Sequence, residues 1–176
     1  AYVPGTEEYL LVDGYNIIFA WKELNELAQH NIDSARDKLM DIMCNYQGAK
    51  NVNLILVFDA YKVSGGQGEI FDYHNIHVVY TKEAETADQY IEKVSHELSR
   101  KYHVTVATSD RLEQMIIWGA GARRISAPGF YEEVMNTIQE VRQNIERDKP
   151  KNKNYLKDNI SREAYEKLEK IKENLQ

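Results

Sequence analysis

The chain of 176 residues has little cysteine and proline and no long hydrophobic run. Its one cysteine, Cys44, excludes a disulfide within the chain and a zinc site built on a cysteine pair, which favours a reducing compartment. No apolar stretch approaches the length of about 20 residues that a membrane-spanning helix needs. The start, AYVPGTEEY, lacks the basic and then apolar pattern of a signal peptide. We therefore expect a cytoplasmic protein that has no membrane contact.

The composition that remains is typical of one globular domain, but its charge is uneven. Hydrophobic residues make up 43% of the chain and charged residues 28%. Residues 1–146 hold 13 Lys and Arg against 22 Asp and Glu, a net charge of −9. Residues 147–176 hold 9 against 6, a net charge of +3. An acidic body that needs bound metal, with a basic arm, is compatible with a polyanionic partner, although a solvated linker explains the basic segment equally well.

Short apolar runs alternate with segments of helical periodicity along the chain, which predicts an α/β fold with a parallel sheet. The predicted strands are Tyr9–Asp13, Val52–Asp59, Ile76–Tyr80, Val104–Thr108 and Arg123–Ser126. The predicted helices are Ile17–Gln29, Ser34–Ala49, Thr86–Tyr102, Asp110–Trp118, Pro128–Arg147 and Ile160–Gln176. The glycine-rich segment Ala60–Ile70 is expected to be a mobile loop.

Four carboxylates stand where strands end or helices begin: Asp13, Asp59, Asp88 and Asp110. The carboxyl ends of parallel strands form the crevice in which ligands bind, so these side chains predict one acidic pocket. Such a pocket suits a hard divalent cation and phosphate chemistry. Glu85, beside the predicted start of a helix, is a possible fifth acid or a residue that holds water.

Each carboxylate also has an ordinary structural explanation. Asp13 precedes Gly14, and Asp-Gly is a common turn signal. Asp88 falls in a first helical turn, where the helix dipole favours a carboxylate, and Asp110 has the position of an N-cap. Asp59 follows a strand too apolar to solvate it easily, which favours a cation partner. The occurrence of all four at such positions favours the shared pocket.

Aromatic and basic residues near the predicted pocket are candidates for contact with a nucleic acid. Tyr15 and Tyr61 lie close to it in sequence and are suited to stack on bases. Lys62 adds a positive charge at the base of the glycine-rich loop.

The order and spacing of four motifs resemble the PIN-like nucleases of the NYN family. These motifs are LVDGYN at 11–16, VFD at 57–59, ETAD at 85–88 and SD at 109–110. The sequence is most similar to the YacP type of this family, described as bacterial ribosome-associated messenger-RNA endonucleases. The resemblance covers about residues 8–147, and the tail as an extension.

The resemblance implies a fold, a cofactor and a reaction. The fold is a PIN-like three-layer sandwich, with a central parallel sheet of about five strands in the order 3-2-1-4-5, helices on both faces and a C-terminal helical extension. The reaction is hydrolysis of RNA by metal-activated water, with Mg²⁺ or Mn²⁺. Asp13 and Asp88 are then the catalytic core ligands of the metal, and Asp59 and Asp110 complete the pocket. Asn16 orients Asp13 or contacts a phosphate, and Ser109 lies with the substrate-binding residues.

The expected organisation is a nuclease domain at 1–147, then a basic linker and an amphipathic helix at 148–176. The expected partners are messenger RNA and the translating ribosome. An alternative of a different class is an RNA- or ribosome-binding module that has the PIN-like fold but does not cut. Four intact carboxylates argue against that alternative, since a site that has lost its activity has no reason to retain them.

Overall fold

A six-stranded sheet is the centre of the computed structural model, which describes residues 7–60, 67–110, 121–159, 169–171 and 173–174. Its strands are β1 (Glu8–Asp13), β2 (Asn53–Phe58), β3 (Gln67–Tyr73), β4 (Ile76–Lys82), β5 (His103–Ala107) and β6 (Arg123–Ile125). Their order is β3-β4-β2-β1-β5-β6. All neighbours pair in parallel except β3, which is antiparallel to β4. The predicted order of five strands is therefore confirmed, since it corresponds to β4-β2-β1-β5-β6.

The sixth strand, β3, is the main departure from the predicted sheet. The prediction of a loop at Ala60–Ile70 is wrong from Gln67 onward, because β3 forms a hairpin with β4. The turn of that hairpin carries His74 at a φ of 51°, in the left-handed region, without the glycine that usually marks such a turn. Residues 61–66 of the predicted loop lie outside the described residues.

The described part of the chain forms five helices. They are α1 (Gly14–Ala20), α2 (Lys22–His30), α3 (Ile32–Lys50), α4 (Ala87–Leu98) and α5 (Ala127–Asn159). The single helix predicted at Ile17–Gln29 is wrong, because the chain is extended at Trp21 between α1 and α2. The indole Nε1 of Trp21 donates to the carbonyl of Ala127 at 2.9 Å, and this distant contact holds the break in place.

The polar stretch predicted as a linker is helical, since α5 continues through it to Asn159. The helix predicted at 110–118 falls almost wholly on residues 111–120, which lie outside the described residues. Residues 169–171 and 173–174, within the last predicted helix, are helical. No helix in the described part of the chain is both long and apolar enough to cross a membrane.

Apolar side chains cover both faces of the sheet and make it the middle of three layers. The face under α4 holds one buried cluster: Leu11, Val57, Val79, Ala87, Ile91, Val104 and Val106. On the other face, α1 and α3 pack against β2. Rings link these elements there, with Tyr15 of α1 lying edge-on to Phe58 of β2 at 5.1 Å.

The chain divides into two compact units, Ala1–Thr137 and Ile138–Gln176. The sheet and the predicted acidic residues belong to the first unit. The predicted boundary at residue 147 stays a prediction.

Gly14 allows the central strand to enter a helix directly, without the turn that Asp-Gly suggests. β1 ends at Asp13 and α1 begins at Gly14. A Cβ atom at Gly14 would overlap the ring of Phe58 and lie 2.9 Å from the carbonyl oxygen of Val57. Only a residue without a side chain lets α1 approach β2 this closely.

We expect Gly14→Ala to lower the free energy of unfolding by about 1–3 kcal/mol, the usual cost of forcing extra atoms into a packed interior. Gly48→Ala is the matched control, because a Cβ there meets only Asn75 Nδ2 at 3.8 Å in helix α3. The control should be neutral or stabilising, since alanine favours a helix over glycine. Urea denaturation of both variants measures the difference, and equal stabilities would contradict this role of Gly14.

Candidate active site

Three polar side chains lie on the face of the sheet that α4 covers, just past the apolar cluster and at the carboxyl ends of the strands. Side chains two residues apart on a strand point to the same face. Leu11, Val57 and Val106 lie in the cluster under α4, and two residues after each of them come Asp13, Asp59 and Thr108. The carboxyl ends of β1, β2 and β5 therefore present two carboxylates and a hydroxyl toward the N-terminal side of α4.

Asp13 is a buried carboxylate that is held by the neighbouring strand. It occupies the N-cap position of α1, but its side chain makes no capping hydrogen bond to that helix. Its Oδ2 instead accepts from the Thr108 hydroxyl at 3.2 Å, and 7% of the residue is exposed. A buried carboxylate is costly unless it has polar or cationic partners. The turn interpretation of Asp13 therefore does not describe what its side chain does.

Thr108 is fully buried, and each of its polar groups has a partner. The hydroxyl that donates to Asp13 also accepts from the N–H of Asp110 at 3.1 Å. The Thr108 N–H donates to the carbonyl of Ile125 at 3.0 Å, and its carbonyl accepts from Nε of Arg124 at 3.1 Å. These bonds fix the Thr108 hydroxyl, and through it the orientation of the Asp13 carboxylate.

Asp59 is bound to the first turn of α4, which carries Asp88. Its Oδ1 accepts from the N–H of Ala87 at 2.5 Å. Thr86 and Gln89 form a capping box that satisfies further N–H groups of this turn. Asp88 is half-buried in the same turn, where the positive end of the helix dipole favours carboxylates. Glu85 lies half-buried just before it.

Asn16 and Ser109 connect helix α1 to the segment that follows β5. The Asn16 Oδ1 accepts from the N–H of Ser109 at 2.8 Å. The Ser109 hydroxyl accepts from the N–H of Ala127, the first residue of α5, at 2.9 Å. Asn16 therefore holds the backbone of Ser109, and the residue before Ser109 is Thr108, which donates to Asp13. Contact of either side chain with substrate stays a prediction.

Tyr15 is a buried side chain, close enough to Asp59 to interact with it electrostatically. It is 4% exposed, and its hydroxyl accepts from Nη1 of Arg36 at 3.0 Å. Burial raises the pKa of this phenol, while the Arg36 guanidinium opposes the rise. A ring enclosed in this way has no free face for a base, so the structure gives Tyr15 a packing role. The two other predicted contact residues, Tyr61 and Lys62, lie outside the described residues.

The described residues contain no group of three or more His, Cys, Asp or Glu side chains placed to hold a metal ion together. The four predicted ligands therefore do not form a closed cage in this part of the chain. The donor set still fits Mg²⁺, because all its members are carboxylates. Mg²⁺ is usually held by one or two protein carboxylates together with waters and substrate phosphates. Asp13, buried at a strand end, is the side chain that fits this description best.

Two residues of this region were missed by sequence reasoning: Thr108 and Arg124. Thr108 precedes the recognisable Ser-Asp pair, and its position at a strand end was the available signal. Arg124 depends on the register between β5 and β6, in which it pairs with Val106. That register cannot be read from a three-residue strand.

Comparison with known proteins gives a consistent result. The YacP-like NYN domain matches residues 10–173. The YacP protein of Bacillus subtilis (strain 168) is 40% identical over 141 residues, which cover 80% of each chain. The crystal structure of Rae1 (YacP) from Bacillus subtilis matches with a TM-score of 0.72 at 36% identity, over 94% of both chains. A point variant of it matches with a TM-score of 0.70 at 38% identity, over 80% of this chain and 82% of the variant.

The matched region includes all four predicted carboxylates and the whole sheet from Leu10 onward. The similarity in sequence and the similarity in structure concern the same relative. The resemblance inferred from the four motifs is thereby confirmed, and the chain belongs to the YacP-like NYN domain family, which has a nuclease-type fold.

Proposed function

We propose that the protein is a metal-dependent endoribonuclease that hydrolyses phosphodiester bonds of messenger RNA in association with the translating ribosome. The observation that supports this most strongly is the buried Asp13 carboxylate, oriented by Thr108 at the carboxyl end of the central strand. Membership of a family with a nuclease-type fold supports the same reaction class.

The location of Asp13 within the sheet supports a ligand site. From β1 the chain goes to β2 and β4 on one side, and it then crosses to β5 on the other side of β1. Strand order thus reverses between β1 and β5, and open α/β sheets bind their ligands in the crevice at such a point. The Asp13–Thr108 hydrogen bond spans this boundary.

The residues of the site divide into ligands and residues that hold them. Asp13 and Asp88 are the proposed metal ligands, and Asp59 and Asp110 complete the acidic pocket. A bound Mg²⁺ or Mn²⁺ would supply a Lewis acid that activates water and offsets the charge developing on the phosphate. Asp59 also holds the first turn of α4 through Ala87. Glu85 is the candidate for orienting the attacking water.

The proposed partners, RNA and the ribosome, are polyanions. The first unit is acidic, so its affinity for RNA depends on bound cations and on local basic groups. The segment 147–157 carries five of these: Arg147, Lys149, Lys151, Lys153 and Lys157. The backbone of this segment is part of helix α5.

We expect Asp13→Asn or Asp88→Asn to lower the rate of RNA cleavage by about two orders of magnitude or more. A metal ion is worth several kcal/mol of transition-state stabilisation, and each 1.4 kcal/mol or so is a factor of about ten. An asparagine at position 13 can still accept from Thr108, so thermal stability should be retained. Cleavage of a messenger RNA is measured free and on translating ribosomes, with Mg²⁺ and with EDTA.

Glu97 is exposed in the last turn of α4, away from the first turn that carries Asp88. The control variant Glu97→Gln removes the same charge there and should leave the cleavage rate unchanged. Full activity of either aspartate variant, or undiminished cleavage in EDTA, would contradict the metal role. RNA or ribosome binding by a wild-type protein that never cuts would identify the non-catalytic binding module.

We expect Thr108→Val to lower both stability and activity, and Thr108→Ser to restore most of each. Valine removes the hydroxyl and leaves the buried Asp13 oxygen and the Asp110 N–H without it, at a cost of about 1–3 kcal/mol. Residues that orient a metal ligand typically contribute about 10- to 100-fold to activity. Thermal melting and cleavage rates test the pair, and a fully active Thr108→Val protein would show that Thr108 does not position Asp13.

A further inference from the structure

We infer that Arg124 binds a phosphate of the RNA backbone at the site of Asp13. This inference rests on the proposed function and assigns a substrate contact within the same site. Arg124 lies on the edge strand β6 and is exposed. Its Nε donates to the Thr108 carbonyl at 3.1 Å, while the Thr108 hydroxyl donates to Asp13. One residue thus separates this guanidinium from the proposed metal ligand.

The register of the sheet places Arg124 on the same face as the acidic residues. Arg124 pairs with Val106, and paired residues on adjacent strands share a face. Val106 belongs to the cluster under α4, whose face continues into Thr108 and Asp13. The Nε bond to Thr108, two residues beyond Val106, shows that the Arg124 side chain extends toward the carboxyl end of the sheet.

The chemistry of a guanidinium suits this position. Asp13 and Asp110 make the region negative, so an RNA phosphate needs local positive charge besides a metal. Arginine carries its N–H donors in a planar fork that matches a phosphate, and it keeps its charge at any working pH. One of these donors, Nε of Arg124, is already used by the Thr108 carbonyl. The Thr108 carbonyl holds the guanidinium in place, which reduces the entropy lost when a phosphate binds.

The neighbouring arginine is an internal comparison. Arg123 is also exposed on β6, but it pairs with Thr105 and therefore lies on the opposite face. Both residues contribute the same charge to the net field of the protein. A difference between their variants thus reports the location of the guanidinium and not the total charge.

The test compares Arg124→Gln, Arg124→Lys and Arg123→Gln in the full chain. Binding of a short fluorescein-labelled single-stranded RNA is measured by anisotropy in EDTA, over a series of salt concentrations. EDTA removes both cleavage and the contribution of a metal ion. Cleavage on translating ribosomes is measured separately with Mg²⁺, and thermal melting checks that each variant is folded.

We expect Arg124→Gln to weaken RNA binding by about tenfold or more and to reduce the salt slope by about one, as the loss of one phosphate contact requires. Arg124→Lys should recover only part of the affinity, because lysine keeps the charge without the planar fork. Arg123→Gln should change the affinity by less than about twofold.

Equal affinities of the Arg124→Gln and Arg123→Gln proteins would overturn the inference, as would a wild-type protein that does not bind this RNA. A loss of cleavage rate in Arg124→Gln without weaker binding would also overturn it, since Arg124 would then act only by positioning Thr108. In each case, Mg²⁺-dependent cleavage by the wild-type protein would leave the proposed function standing. A wild-type protein that binds RNA through Arg124 but never cuts would instead overturn the proposed function alone.

Discussion

The buried Asp13 carboxylate is the constraint on which the rest of the site depends. A carboxylate that is 7% exposed must be stabilised by hydrogen bonds or by a cation. Thr108 supplies a hydrogen bond from the adjacent strand, and Thr108 is itself fixed through Ile125, Asp110 and Arg124. The geometry of the site is therefore set by the pairing of β1 with β5 and of β5 with β6. A change of one residue in either register would turn these side chains to the other face of the sheet.

The helices complete this arrangement from both sides of the sheet. On one side, Gly14 lets α1 start directly after Asp13 and pack closely on Phe58. On the other side, Asp59 ties the first turn of α4, with Asp88, to the end of β2. The end of β1, the end of β2 and the first turn of α4 carry Asp13, Asp59 and Asp88, and packing and hydrogen bonds restrain the backbone at these positions. Rigid support of this kind is what a metal-dependent phosphoryl reaction needs, because its catalysis is mostly positioning and electrostatics.

The sheet could be predicted from the sequence because its buried parallel strands are nearly continuous apolar runs, as in NLILVF of β2. The positions of the carboxylates along the chain could be predicted for the same reason, since each carboxylate follows such an apolar run or lies at the start of the next helix. The hairpin strand β3 was missed because its turn at His74 lacks a glycine. The break at Trp21 was missed because no glycine or proline marks it in the sequence, and the contact that its indole makes there is with Ala127, 106 residues away. Thr108 and Arg124 gain their roles from strand register, which local patterns do not reveal.

The most direct measurement of the central claim is the location of bound manganese, a substitute for Mg²⁺ whose anomalous scattering can be detected in a crystal. If Asp13 is a metal ligand oriented by Thr108, an anomalous difference peak will lie against the Asp13 carboxylate in the wild-type crystal. The peak should be lost in Asp13→Asn crystals soaked in the same way. Manganese peaks that occur only at surface carboxylates, or a peak that persists unchanged in the Asp13→Asn protein, would contradict the assignment of this site.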